Sequence, residues 1–344
     1  MLFPRYLSFT AFLAAAALFL APLSGHAQNA ETRVIYDTDM GPMTDDVAAL
    51  SMLHALSDNG EAEILATIAS NRHSNVAQVL DVFNTFYGHP NIPVGVPGGI
   101  ALDIEDAPDV CCRGGWTDYL VREYPADIRS NDVVPTATEL YRRVLSQQPD
   151  ASVTIITVGF LTNLSDLLAS GPDQYSELNG SDLVEKKVKR LVSMAGTFTG
   201  PVGNPDHPQS EYNLRMDALS SKHVFEDWPT EIIYSGYALG ESVHTRYQRE
   251  EPQSNASNPV SDVFRMVSSG KEEEASFDQT AVLVAVRGAE PYFDLVEGRI
   301  VVNWDGSNSW NSDGEGQYYL ELNEEHASQT EQEIETLMVH EPPR

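Results

Sequence analysis

The sequence predicts an α/β protein, a doubly wound and mostly parallel sheet flanked by helices, and three observations predict it. Short apolar, β-branched runs alternate with segments of helical period along most of the chain. One of them, Ser152-Val153-Thr154-Ile155-Ile156-Thr157-Val158, is nearly continuous, as in a strand buried on both faces. The first run, Val34-Ile35-Tyr36, delivers Asp37, Asp39, Asp45 and Asp46 where a strand gives way to a helix, the place where open α/β sheets hold ligands.

Taken in order, the opening strand leads to a helix from Asp45 to about Ser57, with Val47, Leu50 and Leu53 on one stripe. Ile64 to Ile68 reads as the second strand and ends in Ser70-Asn71-Arg72-His73. A helix follows with Val76, Val79, Leu80, Phe83 and Phe86 at helical spacing, then a short strand, Ile92 to Val96. Strand, helix, strand, helix, strand is the alternation of parallel strands joined by crossover helices. From Gly98 to about Val134 the pattern breaks into a Gly-, Pro- and Asp-rich stretch with Trp116, Tyr119 and Tyr124, read as a loop over the site. Order resumes with a helix from Thr136 to Gln148, the buried strand above, and a helix opened by Gly159-Phe160-Leu161-Thr162-Asn163-Leu164. Lys189 to Ala195 and Glu231 to Tyr234 are further strands, separated by an irregular segment, Thr197 to Tyr212, and a helix from Asp217 to about Glu226. Helices at about Val260–Ser269 and Asp278–Arg287 precede a peripheral β element (Arg299–Val302, Gln317–Glu321) and a closing helix near Ile334–Met338.

Bulk composition sets bounds. With 344 residues, 42% of them hydrophobic, the chain can bury a proper core. Its 51 acidic against 21 basic side chains, net −30, argue against nucleic acid or an anionic membrane as partner, since both would repel it. Residues 1 to about 27 read as a secretory signal peptide, with Arg5 before an apolar stretch from Ala11 to Leu20 and a small-residue cleavage site at Gly25-His26-Ala27. The apolar stretch is too short to be a stable membrane anchor. The expected mature protein is one domain over residues 28–344, exported to the periplasm or secreted. Cys111 and Cys112 are adjacent, which gives neither a disulfide framework nor a Cys/His metal spacing.

Four acids within ten residues repel one another unless a cation or a shared proton relieves them. Oxygen donors alone suit a hard cation such as Ca²⁺ or Mg²⁺ better than zinc. The plain alternative is one acid capping the helix and the rest solvated, but a cap needs only one.

These residues, in order, resemble the inosine–uridine-preferring nucleoside hydrolases. Asp37-Thr38-Asp39-Met40-Gly41 through Asp45-Asp46 looks like the family's N-terminal aspartate signature, and Asn71 matches its asparagine after the second strand. Val158-Gly159-Phe160-Leu161-Thr162-Asn163 is similar to its Gly-Pro-Leu-Thr-Asn segment, and Gly203-Asn204 followed by Glu211-Tyr212-Asn213 to its Gly-Asn and Glu-Phe-Asn. Asp278 matches its C-terminal aspartate. The resemblance implies a Rossmann-like open sheet and calcium-dependent hydrolysis of the N-glycosidic bond of a small-molecule nucleoside. By it, Ca²⁺ is held by Asp39, Asp46, the Thr162 carbonyl and Asp278. Asp39 is also the general base toward water. Asp45, Asn71, Asn204, Glu211 and Asn213 hold the ribose hydroxyls, and Asp37 either stands behind the ligands or orients one of them. Homologues assemble as homodimers or homotetramers, though no interface is visible in this sequence.

The chain departs from the family in three places. Pro42-Met43-Thr44 lengthens the gap between Gly41 and Asp45, which leaves open which of Asp45 and Asp46 meets the metal. Phe277 stands where many members have a histidine that protonates the leaving base; His207 and His244 are substitutes by sequence neighbourhood only. The family's histidine-containing loop has no clear counterpart in Pro108 to Pro125, so base preference stays open. Two rivals remain. A haloacid-dehalogenase-type phosphatase would use Asp37 as nucleophile and Asp39 as acid/base. A catalytically silent, exported nucleoside- or sugar-binding homologue would need no metal-activated water.

Overall fold

The structure is a computed structural model that describes Met1 and residues 31–41, 44–103, 115–202, 209–248, 257–268, 271 and 273–342. The expected signal peptide, Cys111, Cys112, Asn204 and His207 lie outside the described residues. Glu31 to Arg344 form one compact unit. Its elements run β1 (Thr32–Thr38), α1 (Asp45–Asp58), β2 (Ala62–Ala69), α2 (Val76–Phe86), β3 (Val94–Gly95), α3 (Trp116–Glu123), α4 (Ala137–Gln147), β4 (Val153–Thr157), α5 (Thr162–Ala169), α6 (Gly180–Lys187) and β5 (Val188–Met194). They continue α7 (Tyr212–Met216), α8 (Ala218–Asp227), β6 (Glu231–Ser235), α9 (Tyr237–Ser242), β7 (His244–Thr245), α10 (Pro259–Val267), β8 (Glu274–Ala275), α11 (Phe277–Arg287), β9 (Phe293–Val302), β10 (Asn308–Asn311), β11 (Gln317–Leu322) and α12 (Ala327–Met338).

Nine strands form one sheet in the order β10-β9-β11-β6-β5-β4-β1-β2-β3. From β3 to β11 every neighbouring pair is parallel; β9 and β10 are antiparallel additions. The chain therefore winds outward from β1 through β2 to β3, then returns beside β1 with β4 and winds the other way. The reversal opens a crevice at the carboxyl ends of β1 and β4. The expected peripheral β element is an extension of this main sheet, because β11 pairs with β6 in parallel.

Side-chain alternation along each strand divides the interior into two cores. Val34, Tyr36, Ile156 and Val192 belong to one, with α1, α2, α10, α11 and α12. Ile35, Ile155, Leu191 and Ile232 belong to the other, with α4, α5, α6 and α8. Both faces being covered explains why β4 is buried along all five residues.

Two elements differ from the sequence reading. Helix α1 is buried around its whole circumference from Asp45 to Leu56, not on a single stripe, because it packs against β2, α10, α11 and α12 at once. Its small residues, Ala48, Ala49, Ser51 and Ala55, admit those neighbours. The segment expected to be a loop between Gly98 and Val134 contains α3, with Trp116, Thr117 and Leu120 buried; its eight residues among Gly- and Pro-rich flanks gave too short a periodic signal to stand out.

At the carboxyl end of α1, His54 is fully buried. It stacks on Tyr87 with ring centroids 4.6 Å apart, and its Nε2 lies 3.1 Å from Asn84 Oδ1. The Asn84 amide donates to Thr67 Oγ1, so its oxygen faces His54 and the imidazole carries its proton on Nε2. Burial, then the charge of His89, pushes the His54 pKa down to about 3. The native ring is therefore neutral while the unfolded ring protonates below about 6.5. Between those values the unfolded chain binds more protons, and stability falls as pH falls, by up to ~1.4 kcal/mol per pH unit. His54→Gln keeps a donor toward Asn84 and removes the titration. Thermal midpoints of wild type and variant should differ most near pH 7 and converge toward pH 4; a constant difference would mean that His54 is protonated in the native state.

Candidate active site

The crevice collects carboxylates from both halves of the sheet. β1 ends in Asp37-Thr38-Asp39, and because successive residues point to opposite faces these diverge. Asp37 turns to the α4–α5 side, where Tyr141 Oη donates to it at 2.8 Å and Asn163 Nδ2 at 3.1 Å. Burial raises its pKa to about 7 despite these bonds. Tyr141 and Asn163 thus hold the Asp37 carboxylate from the α4–α5 side.

Thr38 turns the other way and donates its hydroxyl to Asp46. The Asp46 carboxylate also accepts from the N–H groups of Met40 (3.1 Å) and Gly41 (2.9 Å), so the turn after β1 wraps around it. That wrap holds Met40 at φ +41°, left-handed backbone that a buried non-glycine residue adopts at a cost. Asp45 and Asp46 open α1, and Asp45 takes the N–H groups of that first turn. Neither caps the helix, since Thr44 holds the N-cap position. Asp278 arrives from the far side as the second residue of α11. Asp45, Asp46 and Asp278 each offer a carboxylate oxygen, and these oxygens all lie within 4.8 Å of one another.

Every one of these acids is buried, and each is pushed toward its neutral form. For Asp39 the causes are burial, then the charges of Asp46 and Asp45, a hydrogen bond with Asp46, and Glu211. For Asp278 they are burial and the charges of Asp45, Asp46 and Asp39. Asp45 is raised by burial and by Asp46; Asp46 is raised by burial and held down by its ring of donors. Oxygen donors, mutual repulsion and dryness together are what a hard cation relieves, so the residues present fit such an ion. Asp45 and Asp46 both belong to the cluster.

The other expected residues reach the same edge. Asn71 follows β2; its Nδ2 donates to the Asp39 carbonyl and its Oδ1 accepts from the His73 N–H at 2.7 Å, so this side chain braces the site's own backbone. Glu211 accepts from the N–H groups of Asn213 (2.7 Å), Gly196 (3.2 Å) and Leu214 (3.2 Å), and burial raises its pKa to about 7. The Asn213 amide donates to the carbonyls of Val158 (3.1 Å) and Met194 (3.0 Å), tying the ends of β4 and β5 together. Thr162 opens α5 and donates its hydroxyl to Asp217. His244 is exposed, with its Nε2 3.0 Å from the Glu241 carbonyl. Phe277 is buried against Gly240, its ring centroid 5.2 Å from that of Tyr237.

Two contributors were not legible in the sequence. Glu274 accepts a hydrogen bond from Thr44 and adds its charge to those acting on Asp45; in the run Lys271-Glu272-Glu273-Glu274 it reads as a solvated acid, and it lies on β8, which pairs antiparallel with the distant β7. Gly159, just after β4, is a packing requirement. A Cβ there would lie 2.3 Å from the Asp39 nitrogen and 2.4 Å from Ser70 Oγ.

The chain belongs to the inosine-uridine preferring nucleoside hydrolase family, whose model matches residues 34–336. It is 30% identical over 197 residues to the pyrimidine-specific ribonucleoside hydrolase RihA of Klebsiella pneumoniae subsp. pneumoniae, a match covering 55% of this chain and 55% of that protein. The chain thus spans about half the length of the curated relatives it matches. Among solved structures it is similar to the inosine-uridine preferring nucleoside hydrolase from Bacillus anthracis (TM-score 0.62, 15% identity, 90% of this chain and 99% of that one). It is also similar to the purine-preferring ribonucleoside hydrolase from Gardnerella vaginalis (TM-score 0.66, 13% identity, 90% and 99%). At these identities the likeness establishes the shared α/β fold.

Gly159→Ala should displace the Asp39 backbone, with overpacking costing roughly 1–3 kcal/mol. Thermal unfolding and a divalent-cation titration should show a lowered midpoint and weakened binding. Gly171→Ala, whose Cβ would meet nothing within 4 Å, should leave both unchanged. Equal behaviour of the two variants would show that the Asp39 backbone tolerates the shift.

Proposed function

We propose that this member of the nucleoside hydrolases cleaves the N-glycosidic bond of ribonucleosides, giving free base and ribose, with Ca²⁺ as its cofactor. The observation that carries the reading is the dry carboxylate set of Asp39, Asp45, Asp46 and Asp278 in the crevice where the sheet reverses direction. Breaking the bond builds positive charge on the ribose ring, and buried carboxylates favour that charge over the neutral ground state. Asp39, Asp46, Asp278 and the Thr162 carbonyl would hold the ion, with Asp45 in the same carboxylate cluster. Ca²⁺, when bound, supplies Lewis acidity toward water and leaves room among its ~6–8 oxygen positions for ribose hydroxyls.

Asp39 accepts the proton of the attacking water. Asp45, Asn71, Asn204, Glu211 and Asn213 orient the sugar through its hydroxyls, a set that favours ribose over deoxyribose. The relatives named above are variously pyrimidine-specific and purine-preferring, so a panel of bases is the appropriate probe. The leader-like residues 1–27 support export to the periplasm or beyond, with residues 28–344 as the hydrolase domain.

The test is ribose release, read by reducing sugar, from a panel of ribonucleosides with the purified mature protein. Activity should vanish with a chelator and return with Ca²⁺, and Asp39→Asn should lower kcat by ~10²–10⁴-fold while leaving the thermal midpoint near wild type. Turnover that survives chelation would remove the cation from the reaction, and an active Asp39→Asn would remove Asp39 as the base.

A further inference from the structure

Expelling a base from ribose leaves an electron pair on the base nitrogen, and departure is easier when a proton arrives as the bond breaks. Phe277, buried beside Asp278, has none to give. Most described histidines are placed elsewhere. His54, His89 and His340 cluster with Tyr87 and Asp58 at the opposite end of α1 from the acids. His223 pairs with Ser165 between α8 and α5, and His244 is exposed with its ring on its own turn.

His73 differs in position and in partners. It lies two residues beyond Asn71 in the loop leaving β2, at the sheet edge where the carboxylates gather. The Asn71 side chain links the two places, donating to the Asp39 carbonyl and accepting the His73 N–H. The His73 carbonyl accepts from Asn131 Nδ2 at 2.8 Å, so both backbone polar groups are pinned. Around the imidazole, Nδ1 stands 3.6 Å from the Asp103 carboxylate, and Nε2 faces Thr117 Oγ1 at 3.4 Å at the start of α3. The side chain keeps 15% of its surface exposed, enough to meet a ligand from a fixed position. An imidazole held by a carboxylate at one nitrogen is a common arrangement for proton transfer.

We propose that His73, oriented by Asp103, delivers the proton to the departing base, an assignment that rests on the reading of the site as an N-ribosyl hydrolase. As water's oxygen bonds to the anomeric carbon, the C–N bond breaks and its electron pair passes to the base. His73 gives a proton to a ring nitrogen or conjugated carbonyl oxygen of the base, and Asp39 takes one from the water. Asp39 then releases its proton and His73 regains one through solvent, so nucleoside and water yield ribose and neutral base.

The experiment compares two leaving groups in wild type, His73→Gln and Asp103→Asn. Ribonucleosides need the proton; 4-nitrophenyl β-D-ribofuranoside releases a stable phenolate and does not. His73→Gln should lower kcat on nucleosides by about 10²-fold and leave nitrophenyl riboside turnover within about threefold of wild type. Asp103→Asn should show the same split at smaller size, as a positioning residue would. Retained nitrophenyl turnover also certifies that the variants fold. Equal loss on both substrates, or no loss on nucleosides, overturns the assignment. Wild-type turnover of the nitrophenyl riboside with none of the nucleosides keeps the hydrolase reading and overturns the proton donor. No wild-type turnover of either overturns both.

Discussion

Like charges crowded into a dry crevice are the constraint on which the rest of this structure depends. Burial and mutual repulsion push Asp39, Asp45, Asp46 and Asp278 toward their neutral forms, and a site of this kind needs compensation from the backbone. Topology provides it. In a parallel sheet each helix begins where a strand ends, so helix starts and their N–H groups face the same edge as the acids. α1 begins at Asp45, α5 at Thr162, and α11 brings Asp278 in its first turn. The positive ends of these helices offset part of the negative charge.

The same geometry explains why carboxylates so close in sequence do different work. Strand alternation sends Asp37 to the α4–α5 core, where Tyr141 and Asn163 consume its oxygens, and sends Thr38 toward Asp46. Asp37 braces the scaffold while its neighbours form the site. The strained backbone at Met40 follows from the need to aim two successive N–H groups at one carboxylate. Gly159 has to lack a side chain because β4 and β1 end in direct backbone contact. Strain and close approach are thus concentrated where the acids are held.

Much of this was legible in the sequence because it rests on local order. The β-branched runs, the helical spacings and the acid-rich turn after the first strand all carry their signal within about ten residues, and they led to the sheet and to Asp39, Asp45 and Asp46, whereas Asp278 came only through the family resemblance. What was missed depends on distant neighbours. The all-round burial of α1 follows from α10, α11 and α12, which arrive some two hundred residues later. Glu274 lies on a two-residue strand, paired with a partner nearly thirty residues earlier, too short to carry a periodic signature. The use of Asn71 as a backbone brace depends on where Asp39 lies in space, which spacing alone does not reveal.

The two ends of α1 show how far the site's precision extends into the core. Its first turn carries Asp45 and Asp46; its last turns carry Ser51, His54 and Asp58, bonded respectively to Met338, Asn84 and the pair His89 and His340. A rigid helix cannot slide at one end without sliding at the other. Contacts near the C-terminus therefore help fix where two carboxylates stand about 8–20 Å away, at ~1.5 Å of rise per residue. Moving those oxygens by even ~1 Å would degrade alignment with a cation and a sugar. A helix buried on all sides loses the freedom to adjust to a solvated face, and in exchange it holds repelling charges at fixed separation, which is the condition the chemistry needs.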